Sequence, residues 1–139
     1  MKRQSHVEYY QCEREGVLMS FNVSAARALL AAKPRAQRRV AVAPLHEATT
    51  EGAAIHEGHL AHVDMSDPVF LALVHDQELG DDVAYLIDGL HRVERAQREG
   101  RDYIEAFFFE AIESSQLLIP PEVASMLAAL DAPNGMQSL

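Results

Sequence analysis

Asp88, Gly89, Leu90, His91 and Arg92 bring a carboxylate, a glycine, an imidazole and a guanidinium into five consecutive residues. They stand between an apolar run and a stretch of helix formers closed by Gly100, so a strand that turns into a helix is expected. The first amides of a helix lack intrahelical acceptors and its dipole favours negative charge, so such a turn binds phosphate or another anion. The amides of Gly89 and Leu90 together with Arg92 are the expected phosphate-binding groups. An arginine in a first helical turn opposes the dipole, which implies an anion to offset it. Asp88 is expected as the N-cap. In a nucleotide or phosphoryl-transfer site it would instead hold Mg²⁺ or act as a base. His91 either serves phosphate and proton transfer or packs on the sheet.

A second group of chemical side chains is His56, His59 and His62, with Glu57 and Asp64 nearby. Imidazoles and carboxylates can bind transition metals, but Gly58 interrupts a helix and residues 60–65 read as a strand. On a strand His59 and His62 point to opposite faces, so no metal ligands are assigned. His62 and Asp64 share a face and run towards the sheet end that carries Pro68, which makes them candidates for a pocket. Positive charge is gathered in Lys33, Arg35, Arg38 and Arg39, and again in Arg92, Arg95, Arg98 and Arg101. The three later arginines of the second group alternate with Glu94 and Glu99 and read as a salt-bridged surface. The first group reads as a solvated face or a DNA contact.

The elements that must position these groups follow from pattern. Residues 7–12 and 17–22 read as strands around a Gly16 loop, and Ser24 as the cap of an alanine-rich helix ended by Pro34. Residues 39–43 read as a strand stopped by Pro44, and residues 45–58 as a long loop with at most one helical turn. Strands are expected at 60–65, 68–75 and 83–87, the last buried on both faces, with a hairpin turn at 78–82. The helix at 90–99 turns Leu90, Val93, Ala96 and Gln97 inward. Residues 103–109 form a further strand, in which Phe107, Phe108 and Phe109 are core, as are Tyr9 and Tyr10. Pro120 and Pro121 open a final helix with Val123, Met126, Leu127 and Leu130 at helical spacing. The fold class is α/β of the mixed α+β kind, a mixed sheet with about three helices packed on it. Residues 1–131 form one domain and residues 132–139 a flexible tail.

The block 63–109, with Asp64-Met65-Ser66-Asp67-Pro68 before an apolar strand and LIDGLHRVERAQREG at 86–100, resembles the ParB/sulfiredoxin superfamily, in particular the N-terminal domain of ParB-type partition proteins. Gly89, His91 and Arg92 match its Gly-x-His-Arg pattern. The resemblance implies a stand-alone domain of that fold with a nucleotide or other phosphorylated ligand at the turn, Mg²⁺ with the nucleotide, and nucleotide hydrolysis, phosphoryl transfer or nuclease action. Leu90 stands where sulfiredoxins carry their cysteine, which removes sulfinic-acid reduction. No Glu-Asn-x-x-Arg motif follows Phe109, and no helix-turn-helix is expected beyond it.

Acids outnumber bases 21 to 12, a net charge of −9, which disfavours DNA as a partner because phosphate-backbone binding rewards a basic surface. No run of eighteen apolar residues suggests a membrane span. The opening residues do not read as a secretory signal, and the single Cys12 fits a reducing cytoplasm. Three functional classes follow: a phosphate-ligand or nucleotide domain, a non-catalytic regulatory or protein-interaction module, and a DNA-associated accessory factor. A dimer is compatible with each.

Overall fold

The computed structural model describes residues 9–14, 17–50, 55 and 57–131. The chain is a mixed α+β fold with two sheets. Strands β1 (Tyr9–Arg14), β2 (Val17–Asn22) and β7 (Leu118–Ile119) form an antiparallel sheet in the order β1-β2-β7. Strands β3 (Arg38–Ala41), β4 (Val69–Asp76), β5 (Asp81–Asp88) and β6 (Tyr103–Phe109) form the second, in the order β3-β6-β4-β5. Its β4–β6 pair is parallel and its other pairs are antiparallel. Six helices are present among the described residues rather than about three: α1 (Val23–Ala32), α2 (Val42–Thr50), α3 (Glu57–Leu60), α4 (Leu90–Arg98), α5 (Ala111–Leu117) and α6 (Pro121–Asp131). None is long and apolar enough to cross a membrane.

Strand β4 explains the layering. A central strand covered on both faces reads as an unbroken apolar run rather than an alternating one, and Val69-Phe70-Leu71-Ala72 is such a run. Val69 and Leu71 join Val42, Leu45, Leu86, Val93, Ala96, Ile104 and Ala106 in the core under α2 and α4. Phe70 and Ala72 join Phe21, Val23, Ala26, Ile87, Phe109 and Leu117 in a second core under α1, β2 and α5. The three phenylalanines of β6 divide in the same way, Phe108 to the first core and Phe107 and Phe109 to the second.

Several expectations are corrected by tertiary contacts. Residues 42–50 form α2 instead of extending a strand and opening a loop. Pro44 falls in its first turn, where the missing N–H costs nothing. Val42 donates to Asp102 O at 3.0 Å, and both Val42 and Leu45 are buried against α4. Residues 60–65 are not a strand. Leu60 closes α3, which is held from outside: Glu57 takes two hydrogen bonds from Arg98 at 2.7 and 2.9 Å, and Arg95 donates to Leu60 O at 3.1 Å. Strand β5 is an edge strand, so only its Leu86 and Ile87 are buried. Asn22, not Ser24, caps α1, accepting from Ala25 N at 2.8 Å. Gln97 is exposed, whereas Val93 and Ala96 face inward as expected. On α6 the sense of the stripe is reversed: Ala124 is buried, and Val123, Met126 and Leu130 are exposed. The tail at 132–139 lies outside the described residues, as does His56.

The basic segment is absorbed into the fold. Arg35 donates to both oxygens of buried Glu113 at 2.7 and 3.0 Å and to Phe108 O at 3.0 Å, with its guanidinium over the Phe109 ring. Arg38 lies 4.1 Å over Phe108, and Arg39 pairs with Glu105. Glu113 also accepts from Glu110 N and completes the capping box of α5. Arg35, by donating to it, is the main reason the Glu113 carboxyl sits below its ordinary value. Truncating Glu113 leaves a largely buried guanidinium without its counter-ion, so Glu113→Ala is expected to cost about 3 kcal/mol in urea denaturation at pH 7. A depressed native value means the unfolded chain binds the proton first. This contribution is therefore complete above about pH 4.5, the carboxyl's ordinary value, and fades as pH falls below it. The gap between wild type and variant should shrink over the same range.

Candidate functional site

The site is built where β5 ends and α4 begins. Gly89 takes φ +109° and ψ 21°, a left-handed conformation that residues with a Cβ avoid. Space enforces the same choice. A Cβ on residue 89 would lie 2.5 Å from Val69 Cγ1 and 3.1 Å from Arg92 Nη2. The turn therefore presses its backbone onto β4 and sends α4 back across the sheet.

Gly89, not Asp88, is the N-cap of α4, and no side chain caps the helix. The Asp88 carboxylate turns away to its neighbours. Its Oδ2 accepts from Arg27 Nη2 at 2.9 Å and from Arg92 Nη2 at 3.2 Å. The anion that offsets Arg92 against the helix dipole is thus supplied by the chain itself. Arg92 is largely buried and also donates to Pro68 O at 3.3 Å. Its Nε is buried and has no acceptor among the described residues.

Two clefts meet at these three side chains. One, of about 380 Å³, is lined by the turn from Leu86 to Arg92 together with Tyr10, Val23, Arg27, His59 and Val63. The other, of about 480 Å³, lies on the Pro68, Phe70 and Phe107 side. Arg27, Asp88 and Arg92 line both. At the first cleft His91 stacks on His59, with ring centroids 4.5 Å apart and planes 22° from parallel.

The structure brings together Asp88, Gly89, Leu90, His91 and Arg92 in one cleft wall. Neither His62 nor Asp64 lines that cleft, because the segment is a helix end and turn rather than a strand, but the Arg92 charge acts on the Asp64 carboxyl. His62 is exposed, with its amide bonded to His59 O, and Val63 is the neighbour that lines the cleft. Asp64 instead accepts from the hydroxyl and amide of Ser66, which hold its carboxyl below the ordinary value. Arg27 and His59 belong to the site and were not assigned to it from pattern. Arg27 is the single charge in the alanine-rich stretch of α1, but its partner lies 61 residues away.

No family model, curated protein or solved structure matches the chain. Among the described residues no group of three or more His, Cys, Asp and Glu side chains could hold a metal ion. Among the described residues Asp88 is the one carboxylate in the wall of the first cleft, and an oxygen shared by two guanidiniums does not fit a ligand of Mg²⁺, which wants octahedral oxygen donors. Asp88 acts here as a counter-ion, not as an exposed base.

The role of Gly89 can be measured directly. Gly89→Ala should lower stability by roughly 3 kcal/mol in urea titration, from the left-handed backbone and the overlap with Val69. Gly58→Ala, where the new methyl meets nothing within 4 Å, should be neutral or slightly stabilising.

Proposed function

We propose that this protein binds a phosphorylated small molecule, a nucleotide or related phosphate ester, in the cleft walled by Asp88 to Arg92. One observation carries the reading: two guanidiniums and the uncapped start of α4 converge on a single cleft of about 380 Å³. Helix amides and guanidiniums are the groups that proteins aim at phosphate, the former by dipole and the latter by forked hydrogen bonds. The cleft volume falls in the range of small-molecule sites. The resemblance of Gly89, His91 and Arg92 to the Gly-x-His-Arg turn of the ParB/sulfiredoxin superfamily supports the same ligand class.

In this reading Leu90 contributes its amide, Arg92 a fixed guanidinium beneath the turn and Arg27 a guanidinium at the cleft mouth. The stacked pair of His59 and His91 forms the wall beside them. The proposed function is binding. Among the described residues of the first cleft's wall the carboxylate is that of Asp88, and it is engaged by both arginines. A DNA-associated role has less support. Arg35 and Arg39 are paired with carboxylates and Arg38 lies over Phe108, on a chain of net charge −9.

Thermal unfolding with a panel of mononucleotides, sugar phosphates and inorganic phosphate tests the proposal. Ligand at a hundred times its Kd adds about 2.7 kcal/mol, or roughly 8–10 °C for a chain of this size. Arg27→Ala, at a half-exposed position, should keep the fold and lose most of that rise. A melting temperature that ignores every phosphate in the panel overturns the reading.

A further inference from the structure

We propose that the second cleft is a separate site for a free aromatic amino acid, held as its zwitterion. The proposal does not rest on phosphate binding in the first cleft. The second cleft, of about 480 Å³, has an apolar side made by Leu30, Pro68, Phe70 and Phe107. Its charged side is made by Arg27, Asp67, Asp88 and Arg92. The volume is that of a small-molecule site.

The apolar side ends in an aromatic series. Phe70 meets Phe109 edge to face at 5.5 Å and Phe107 in the same manner at 6.2 Å. Phe109 and Phe70 are buried, but Phe107 is only half-buried. A ring entering the cleft can pack on Phe107 and continue the series, which adds to the gain from apolar burial alone.

The charged side is balanced. Two guanidiniums face two carboxylates, so the lining carries no net charge. Asp64 lies outside the lining, but it interacts with Arg92, so no surplus of positive charge is left to draw a net anion. Asp88 is bonded to both arginines, and Arg92 is packed beneath Gly89 and bonded to Pro68 O as well. Asp67 and Arg27 are placed differently. Asp67 is exposed, and among the described residues its amide donates to Asp64 O at 3.1 Å while its carboxylate takes no hydrogen bond. The Arg27 side chain is 49% exposed, and a guanidinium has more donors than the Asp88 bond at Nη2 uses. An open carboxylate and an open guanidinium in a balanced lining suit a ligand that carries one charge of each sign. Its ammonium goes to Asp67, its carboxylate to Arg27 and its ring to Phe107. A ligand with one charge alone meets the group of like sign uncompensated.

Phenylalanine, phenethylamine and 3-phenylpropionate share a ring and differ in charge. In calorimetric titration of the intact protein at pH 7, phenylalanine should bind at least about tenfold more tightly than either analogue. Asp67 and Phe107 line the second cleft and not the first, so their variants read this site alone. Asp67→Asn, at an exposed position, should weaken phenylalanine about threefold to tenfold and narrow its lead over 3-phenylpropionate. Phe107→Leu should weaken it about threefold or more. A wild type that binds either analogue as tightly as phenylalanine, or that takes up no phenylalanine at millimolar concentration, overturns the proposal. So does phenylalanine binding that is unchanged by Asp67→Asn or by Phe107→Leu. Each of these failures leaves the phosphate reading standing, because that reading is tested with other ligands in the first cleft.

Discussion

The contact of Gly89 with Val69 fixes more of this molecule than any other single approach. A left-handed residue pressed against the first residue of β4 decides where β5 stops, where α4 starts and at what height α4 crosses the sheet. Val93 and Ala96 then fall on the core that Val69 and Leu71 share with α2. Arg92 lands under the turn, close enough to Gly89 that a methyl group there would touch its guanidinium. A side chain at that position would have to be accommodated by moving a central strand, and packed interiors resist such movement.

The site lies at a seam because the sheet has two covered faces. Leu86 reaches the core beneath α4 and Ile87 the core beneath α1, so the next residue, Asp88, emerges between the two layers. There it meets Arg27 from one layer and Arg92 from the other. The ion-pair trio thus joins α1 to α4 across the end of β5. It is partly exposed, so its stabilising contribution is smaller than that of a buried pair. Arg35 and Glu113 perform a corresponding task elsewhere in the fold, where they tie the segment after α1 to α5.

Charge is distributed by the same logic. Many of the described arginines have a carboxylate or an aromatic face in reach: Arg98 with Glu57, Arg101 and Arg95 with Glu99, Arg39 with Glu105. The second cluster is salt-bridged as its alternation with Glu94 and Glu99 implied, and the first is also threaded through acids, Glu113 and Glu105. The trio at Asp88 differs because it borders open volume on both sides.

The sequence by itself determined the mixed α+β class, the β4–β5 hairpin, the helix after Gly89 and the strand after Gly100, because these rest on local signals: apolar runs, helix formers and glycines at turns. It determined the glycine turn and the salt-bridged arginines of α4 for the same reason. Tertiary structure decided that residues 42–50 are helical, since burial of Val42 and Leu45 against α4 selects a face that the weak local periodicity does not mark. It decided that residues 57–60 are helical as well, through Arg98 and Arg95 reaching from α4. It also decided that Asp88 pairs with Arg27, 61 residues away, which changed Asp88 from a cap into a counter-ion. Periodicity reports which face of an element is apolar. It carries no information on which distant side chain will stand opposite, and this site is defined by such a meeting.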